Sequence, residues 1–219
     1  MMRNYFDLDT TINHFEQALN PLSDAEIKAH EAKGAFRYIP YRINAFLEQL
    51  QVAITARSIL GKGLKFIDVG CGIGTKVLLA QLQGCEAYGL EINPKYVAVA
   101  RRLLLDISRF DTPESRCLKR KRAVPRIIRG DALTFDYSPY DIIYFYCPQR
   151  KVSNGKGMMA SFEMQLEEQI LKTATPGSVV IANLAAHPAF DGSEGAGWKK
   201  GCGTTRLGRE RGVFLIESK

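Results

Sequence analysis

The sequence predicts an α/β fold: a mostly parallel, twisted sheet with helices on both faces, preceded by an N-terminal helical extension. Three observations predict it. Beyond Gly63, short apolar runs of strand length alternate with longer stretches of helical period. The junctions carry boundary chemistry, with Asn93-Pro94 opening a helix and Thr175-Pro176-Gly177 stopping one. Finally, acids stand at or just past the ends of three apolar runs, at Asp68, Glu91 and Asp131.

Taken in order, residues 9–33 are polar and helix-prone, with Ile12, Phe15 and Leu19 at helical spacing and a break at Pro21 to Asp24. A second break at Gly34 and Pro40 precedes a helix over Tyr41 to Leu60, where Ile43, Phe46, Leu47, Leu50, Ala53 and Ile54 form one apolar face. Strands are expected at Lys65 to Val69, Ala87 to Glu91, Arg126 to Gly130, Asp141 to Tyr146, Ser178 to Leu184 and Val213 to Glu217. Helices are expected at Thr75 to Gln83, Pro94 to Arg109 and Met158 to Thr173. Thr204 to Arg209 is the expected hairpin partner of the last strand, turning across Glu210-Arg211-Gly212. That leaves Ala185 to Gly203, with Trp198, as a long Gly-rich loop, either a substrate lid or a connector.

Composition narrows the classes. Apolar residues make up 46% and charged residues 24%, close to the globular average, which argues against disordered and fibrous chains. The five cysteines are scattered and form no C-x-x-C pair, so neither a zinc site nor a disulfide framework is indicated, and a reducing, cytoplasmic setting is expected. The N-terminal stretch lacks the apolar core of a signal peptide, and no run is long enough to span a bilayer.

The most informative segment is Phe66-Ile67-Asp68-Val69-Gly70-Cys71-Gly72-Ile73-Gly74-Thr75, an apolar strand entering a Gly-rich turn and then a helix. Alternate glycines let the backbone turn tightly and approach a ligand, although glycines also serve plain turns. The spacing G-x-G-x-G departs from the G-x-G-x-x-G of dinucleotide binders. Glu91 ends the next strand, where a carboxylate can accept from a ribose diol or simply cap a helix. With Asp131 past the third strand, the acids converge on the crevice at the carboxyl edge of an open sheet.

On these residues, positions 64 to 184 resemble the core of the class I S-adenosylmethionine-dependent methyltransferases, a Rossmann-like family. The resemblance rests on Asp68, Gly70, Gly72 and Gly74 for the first motif, on Glu91, on Asp131, and on Asp141 to Pro148 for the fourth motif. It implies S-adenosylmethionine as cofactor, with S-adenosylhomocysteine as product. It further implies that the glycine turn holds the methionine end, Glu91 the ribose, and Asp131 the adenine amino group, with Ile92 and Ala132 beside the adenine. It divides the chain into a helical extension over 1–60, on or over the cofactor site, and a methyltransferase domain over 61–219.

Tyr146, Cys147 and Pro148 then stand nearest the methyl. Tyr-Cys-Pro-Gln matches neither the amino-methyltransferases of DNA nor the Pro-Cys of cytosine-C5 enzymes, which disfavours both DNA-base chemistries. A small metabolite or RNA acceptor, or a catalytically silent cofactor-binding module, remains the alternative to a protein acceptor, with nucleic acid not favoured. Tyr38-Ile39-Pro40, Glu91-Ile92-Asn93-Pro94 and the Met158 to Leu171 helix are similar to the protein lysine methyltransferases of this class. That likeness implies a protein acceptor and roles for Tyr38 and Tyr146 at the reacting centre, while Tyr38 and Tyr41 also fit plain packing. His187 is either a base or an ordinary loop residue.

The net charge of +7 is local. Arg116, Lys119, Arg120, Lys121, Arg122, Arg126 and Arg129 occur without an intervening acid, leading into the third strand and therefore toward the amino edge of the sheet. The run reads as a solvated loop or as a docking patch remote from the chemistry.

Overall fold

A computed structural model describes residues 43–109, 125–146, 156–183, 198–200 and 211–216. Four helices are described: α1 (Ile43–Ile59), α2 (Thr75–Leu82), α3 (Pro94–Arg109) and α4 (Lys156–Thr173). The strands are β1 (Lys65–Val69), β2 (Glu86–Glu91), β3 (Arg126–Arg129), β4 (Ile142–Tyr146), β5 (Val179–Asn183), β6 (Trp198–Lys200) and β7 (Arg211–Ile216). They form one sheet in the order β3-β2-β1-β4-β5-β7-β6. β1 to β5 run parallel, and β7 lies antiparallel between β5 and β6. The order reverses at β1, with β2 on one side and β4 on the other, which opens a crevice at the carboxyl edge.

Alternation along each strand sends side chains into two cores, one on each face. Phe66, Tyr144, Val179 and Ile181 pack with Phe46, Leu50 and Ala53 of α1 and with apolar residues of α2 and α3. Ile67, Val69, Ile143, Phe145 and Val180 face the other way, onto Leu166 and Ile170 of α4 and onto Tyr137 and Tyr140. The Phe46 ring stands edge-on to Tyr144 with centroids 5.0 Å apart. Through these contacts α1 lies directly on the sheet.

At the amino edge a single arginine holds four elements together. The Arg57 guanidinium, at the end of α1, pairs with Asp141 just before β4 and donates to the carbonyls of Gly63 and Gly177. The second oxygen of Asp141 accepts from the Lys65 N–H at 2.8 Å, at the start of β1. Arg57 is buried, so its charge is tolerated because each face of the fork meets an acceptor.

The expected hairpin needs correction. β7 begins at Arg211, so Arg211 and Gly212 are strand rather than turn, and its partner is Trp198–Lys200. The segment Thr204 to Arg209 lies outside the described residues, as do 1–42 and most of the basic run. β6 has three residues, too few for an alternating pattern to stand out from a Gly-rich surrounding.

Candidate functional site

The crevice is built on the turn between β1 and α2. Gly70, Gly72 and Gly74 all have positive φ, at 75°, 55° and 85°, a region that L side chains rarely adopt. A Cβ built on Gly70 meets nothing within 4 Å, so the turn is open on that side. Four of its N–H groups are already used inside the protein. Gly70 and Cys71 donate to the Leu90 carbonyl at 2.8 and 3.0 Å, and Gly74 donates to the Cys71 carbonyl at 2.9 Å. Gly72 donates to Glu91 Oε2, also at 2.9 Å.

Glu91 therefore has a structural duty besides any ligand it holds. Its other oxygen, Oε1, accepts from the Asn93 N–H at 2.8 Å, so one carboxylate ties the glycine turn to the start of α3. Burial raises the Glu91 pKa, while the N–H groups of Asn93 and Gly72 work against that rise. Each oxygen keeps a second lone pair for a ligand hydroxyl. Asn93 caps α3 as the sequence predicts, its Oδ1 accepting from the Lys95 N–H at 3.0 Å.

Asp68 is 2% exposed, and its Oδ2 has no hydrogen-bond partner among the described residues. Burial pushes its pKa up to about 6, with the Lys76 charge opposing that shift and Glu91 adding to it. An ionised oxygen held dry and unpaired is costly, and such an atom suits a water or a ligand that would complete its hydrogen bonding. In the β1–β4 register Asp68 lies opposite Tyr144, so Tyr146 follows at the carboxyl end of β4. Ile92 is 56% exposed, an apolar surface at the lip of the crevice.

Asp131 is exposed beyond β3, and its Oδ1 accepts from the Leu133 N–H at 2.9 Å in a local turn. Ala132 is half-buried against the second core, and its carbonyl accepts from the Tyr137 hydroxyl. The structure thus places Asp68, Glu91 and the glycine turn together, with Asp131 beyond the neighbouring strand. Tyr38, His187, Cys147 and Pro148 lie outside the described residues. Sequence reasoning missed Lys76, in the first turn of α2, whose Nζ stands 5.5 Å from the centroid of the Tyr144 ring. A lysine there reads as a solvated helix residue, and only its nearness to Asp68 gives it meaning.

The turn is pressed against β2. A Cβ at Gly89 would come within 2.6 Å of Cys71 Sγ and 2.9 Å of Ile127 Cδ1. Gly89→Ala is expected to destabilise the protein by ~1–3 kcal/mol through overpacking. A denaturant midpoint that does not move would show that the turn has room to shift.

No protein-family model matches the chain, and no curated protein matches it in sequence. Solved structures do resemble it. An RNA methyltransferase from Salinibacter ruber, in complex with S-adenosyl-L-homocysteine, superimposes with a TM-score of 0.55 at 18% identity, covering 83% of this chain and 95% of that one. The bifunctional kinase-methyltransferase WbdD gives 0.52 at 16% identity, over 81% of this chain and 40% of that one. The E81Q mutant of MtNAS, in complex with S-adenosylmethionine, gives 0.51 at 12% identity, over 97% and 74%. The strand order, the switch at β1 and these likenesses agree: the chain has the Rossmann-like α/β fold of the methyltransferases it resembles.

Proposed function

We propose that this chain is an S-adenosylmethionine-dependent methyltransferase whose acceptor is an amine, specifically a protein lysine. The observation that carries the cofactor reading is the pair of buried carboxylates, Asp68 and Glu91, at a glycine turn whose N–H groups are largely taken. Such a turn has little left to cradle a phosphate, whereas carboxylates suit hydroxyls and cations. Glu91 accepts from the ribose hydroxyls, Asp68 and the glycine turn face the methionine end, Ile92 and Ala132 flank the adenine, and Asp131 accepts from its amino group. When bound, the cofactor supplies a methyl group activated on a sulfonium sulfur. The protein then contributes alignment, with Tyr146 and Tyr38 orienting an acceptor that has lost its proton.

Lysine is supported by the Tyr38-Ile39-Pro40 and Glu91-Ile92-Asn93-Pro94 segments. A second reading, an RNA acceptor, is favoured by the likeness to the Salinibacter ruber RNA methyltransferase and by the acid-free basic run from Arg116 to Arg129. The cysteine usage supports a reducing, cytoplasmic setting. Among the described residues, no helix is long and apolar enough to cross a membrane.

Calorimetry with S-adenosylmethionine and S-adenosylhomocysteine tests the cofactor, and both are expected to bind. Absence of binding at millimolar ligand would overturn the reading. Incubation with labelled methyl donor and cell lysate then separates the acceptors: label in protein lysine supports the proposal, and label confined to RNA or small molecules removes it.

A further inference from the structure

On one side the sheet ends at β3, an edge strand paired with β2 alone. A bare edge invites a further strand, yet this one is covered by a cation: Arg101 of α3 donates from Nε and Nη2 to the Ile127 carbonyl at 3.1 and 2.8 Å. The same strand carries an exposed guanidinium at each end, Arg126 toward the amino edge and Arg129 toward the carboxyl edge. Lys65, half-buried at the start of β1, extends the positive surface around the amino end. Its Nζ stands 5.1 Å from the centroid of the Tyr88 ring, and Arg126 Cζ stands 5.7 Å from the same centroid, so two like charges share one ring.

Among the described residues the one ion pair is Arg57–Asp141, and Lys65, Arg101, Arg126 and Arg129 have no carboxylate partner there. The exposed acids nearby, Glu86, Asp131 and Asp136, are each hydrogen-bonded locally, to Tyr88, Leu133 and Ser138. Like charges gathered without counter-charge repel one another, and an anionic partner relieves that repulsion. The cations lie along a line rather than around a point, since β3 alone is about 10 Å long, which suits a chain of charges better than a single small anion. Three of the four are arginines, whose planar forks match phosphate oxygens two at a time. A phosphodiester chain offers one charge at every unit whatever its sequence. Arg126 and Arg129 also close the acid-free basic run that begins at Arg116. In the β2–β3 register Arg129 lies opposite Glu91, so the line that begins at the amino edge ends beside the crevice.

We propose that the β3 edge, through Lys65, Arg101, Arg126 and Arg129, binds the phosphate backbone of single-stranded nucleic acid. This surface lies outside the cofactor crevice and depends neither on the cofactor reading nor on which group accepts the methyl. It reads charge rather than base sequence, and it leads a bound strand to the rim of the crevice.

Binding of a labelled oligouridylate of about 20 nucleotides to the full chain, followed by fluorescence anisotropy as salt is raised, tests this directly. Lys65→Gln/Arg126→Gln/Arg129→Gln is expected to weaken binding roughly 10- to 100-fold near physiological salt and to make the salt slope shallower by about 2, as for three lost phosphate contacts. Arg126→Lys/Arg129→Lys keeps the charge and is expected to keep most of the affinity. Lys62→Gln/Lys172→Gln removes exposed charge elsewhere and is expected to cost less than about threefold. Should the triple variant fail to fold in a thermal melt, Arg129→Glu alone, at an exposed site, makes the same comparison. Wild-type protein that does not bind the oligonucleotide overturns the proposal. So does a triple variant that binds like the wild type, or a Lys62/Lys172 pair that loses as much as the triple variant. Polyglutamate that displaces the oligonucleotide at equal charge concentration also overturns it, and makes an acidic protein segment the partner. The cofactor reading stands or falls in the separate titration with S-adenosylhomocysteine.

Discussion

Glu91→Ala is expected to damage the protein twice, lowering its stability and its affinity for cofactor. The carboxylate is 8% exposed and accepts from the N–H groups of Gly72 and Asn93, so its removal leaves two inward-facing donors without acceptors. At ~1–3 kcal/mol for each orphaned group, partly relieved by entering water, the loss of stability should be about 2–4 kcal/mol. For a chain of this length that corresponds to a fall in Tm of roughly 6–12 °C. On the proposed reading, in which Glu91 accepts from the ribose, cofactor affinity should fall by a further ~1.5–3 kcal/mol. Thermal melts and calorimetry on the same preparation separate the two effects. Glu91→Gln keeps one acceptor oxygen but turns an amide NH2 toward the other donor, so it should recover about half of the stability at most and little of the affinity. A variant that binds weakly yet melts with the wild type would show that the turn holds its shape without Glu91.

Asp68→Asn should do the opposite to stability. The folded-state pKa of Asp68 is raised to about 6 from 3.8. Between those values the folded chain binds more protons than the unfolded one, so stability falls as pH rises through this window. Above it, the ionised carboxylate costs up to ~3 kcal/mol. An amide carries no net charge into the site, although Lys76 loses its counter-charge and returns part of the gain. A net stabilisation of about 1–2 kcal/mol is therefore expected near neutral pH, shrinking as pH falls below about 5. Cofactor affinity should drop at the same time. A variant that gains no stability at neutral pH would mean that Asp68 is already satisfied in the cofactor-free protein. The two carboxylates thus have opposite consequences for stability: Glu91 ties the glycine turn to the start of α3, while Asp68 keeps a buried oxygen without a partner among the described residues.

Much of this was legible in the sequence, for identifiable reasons. β1 to β5 are apolar runs bounded by glycine, proline or an acid, and each strand was expected within a residue or so of where it lies. Asp68 and Glu91 declared themselves because an acid at the end of an apolar strand needs an explanation. What the pattern could not carry was anything formed by convergence. The bond from Gly72 to Glu91 joins two motifs whose meeting depends on parallel pairing of β1 with β2. Lys76 and Arg57 look alike in sequence, each a cation on an apolar helix, yet one lies over the Tyr144 ring near Asp68 and the other pairs with Asp141 at the amino edge. The hairpin partner of β7 was missed because three residues are too short to show a period.

The arginine that joins α1, the starts of β1 and β4, and the turn before β5 has a consequence for how the molecule breathes. Local opening follows the weakest contacts, and the Arg57 cluster makes one end of the sheet expensive to open. Opening large enough to admit a ligand is therefore expected at the other end, where Asp68 Oδ2 has no partner among the described residues and a Cβ on Gly70 would meet open space. In hydrogen-exchange terms, the amides before the strands should report global unfolding, and those after them a shallower opening that cofactor suppresses. An ion pair at the amino edge is thus expected to set which end of the protein opens first.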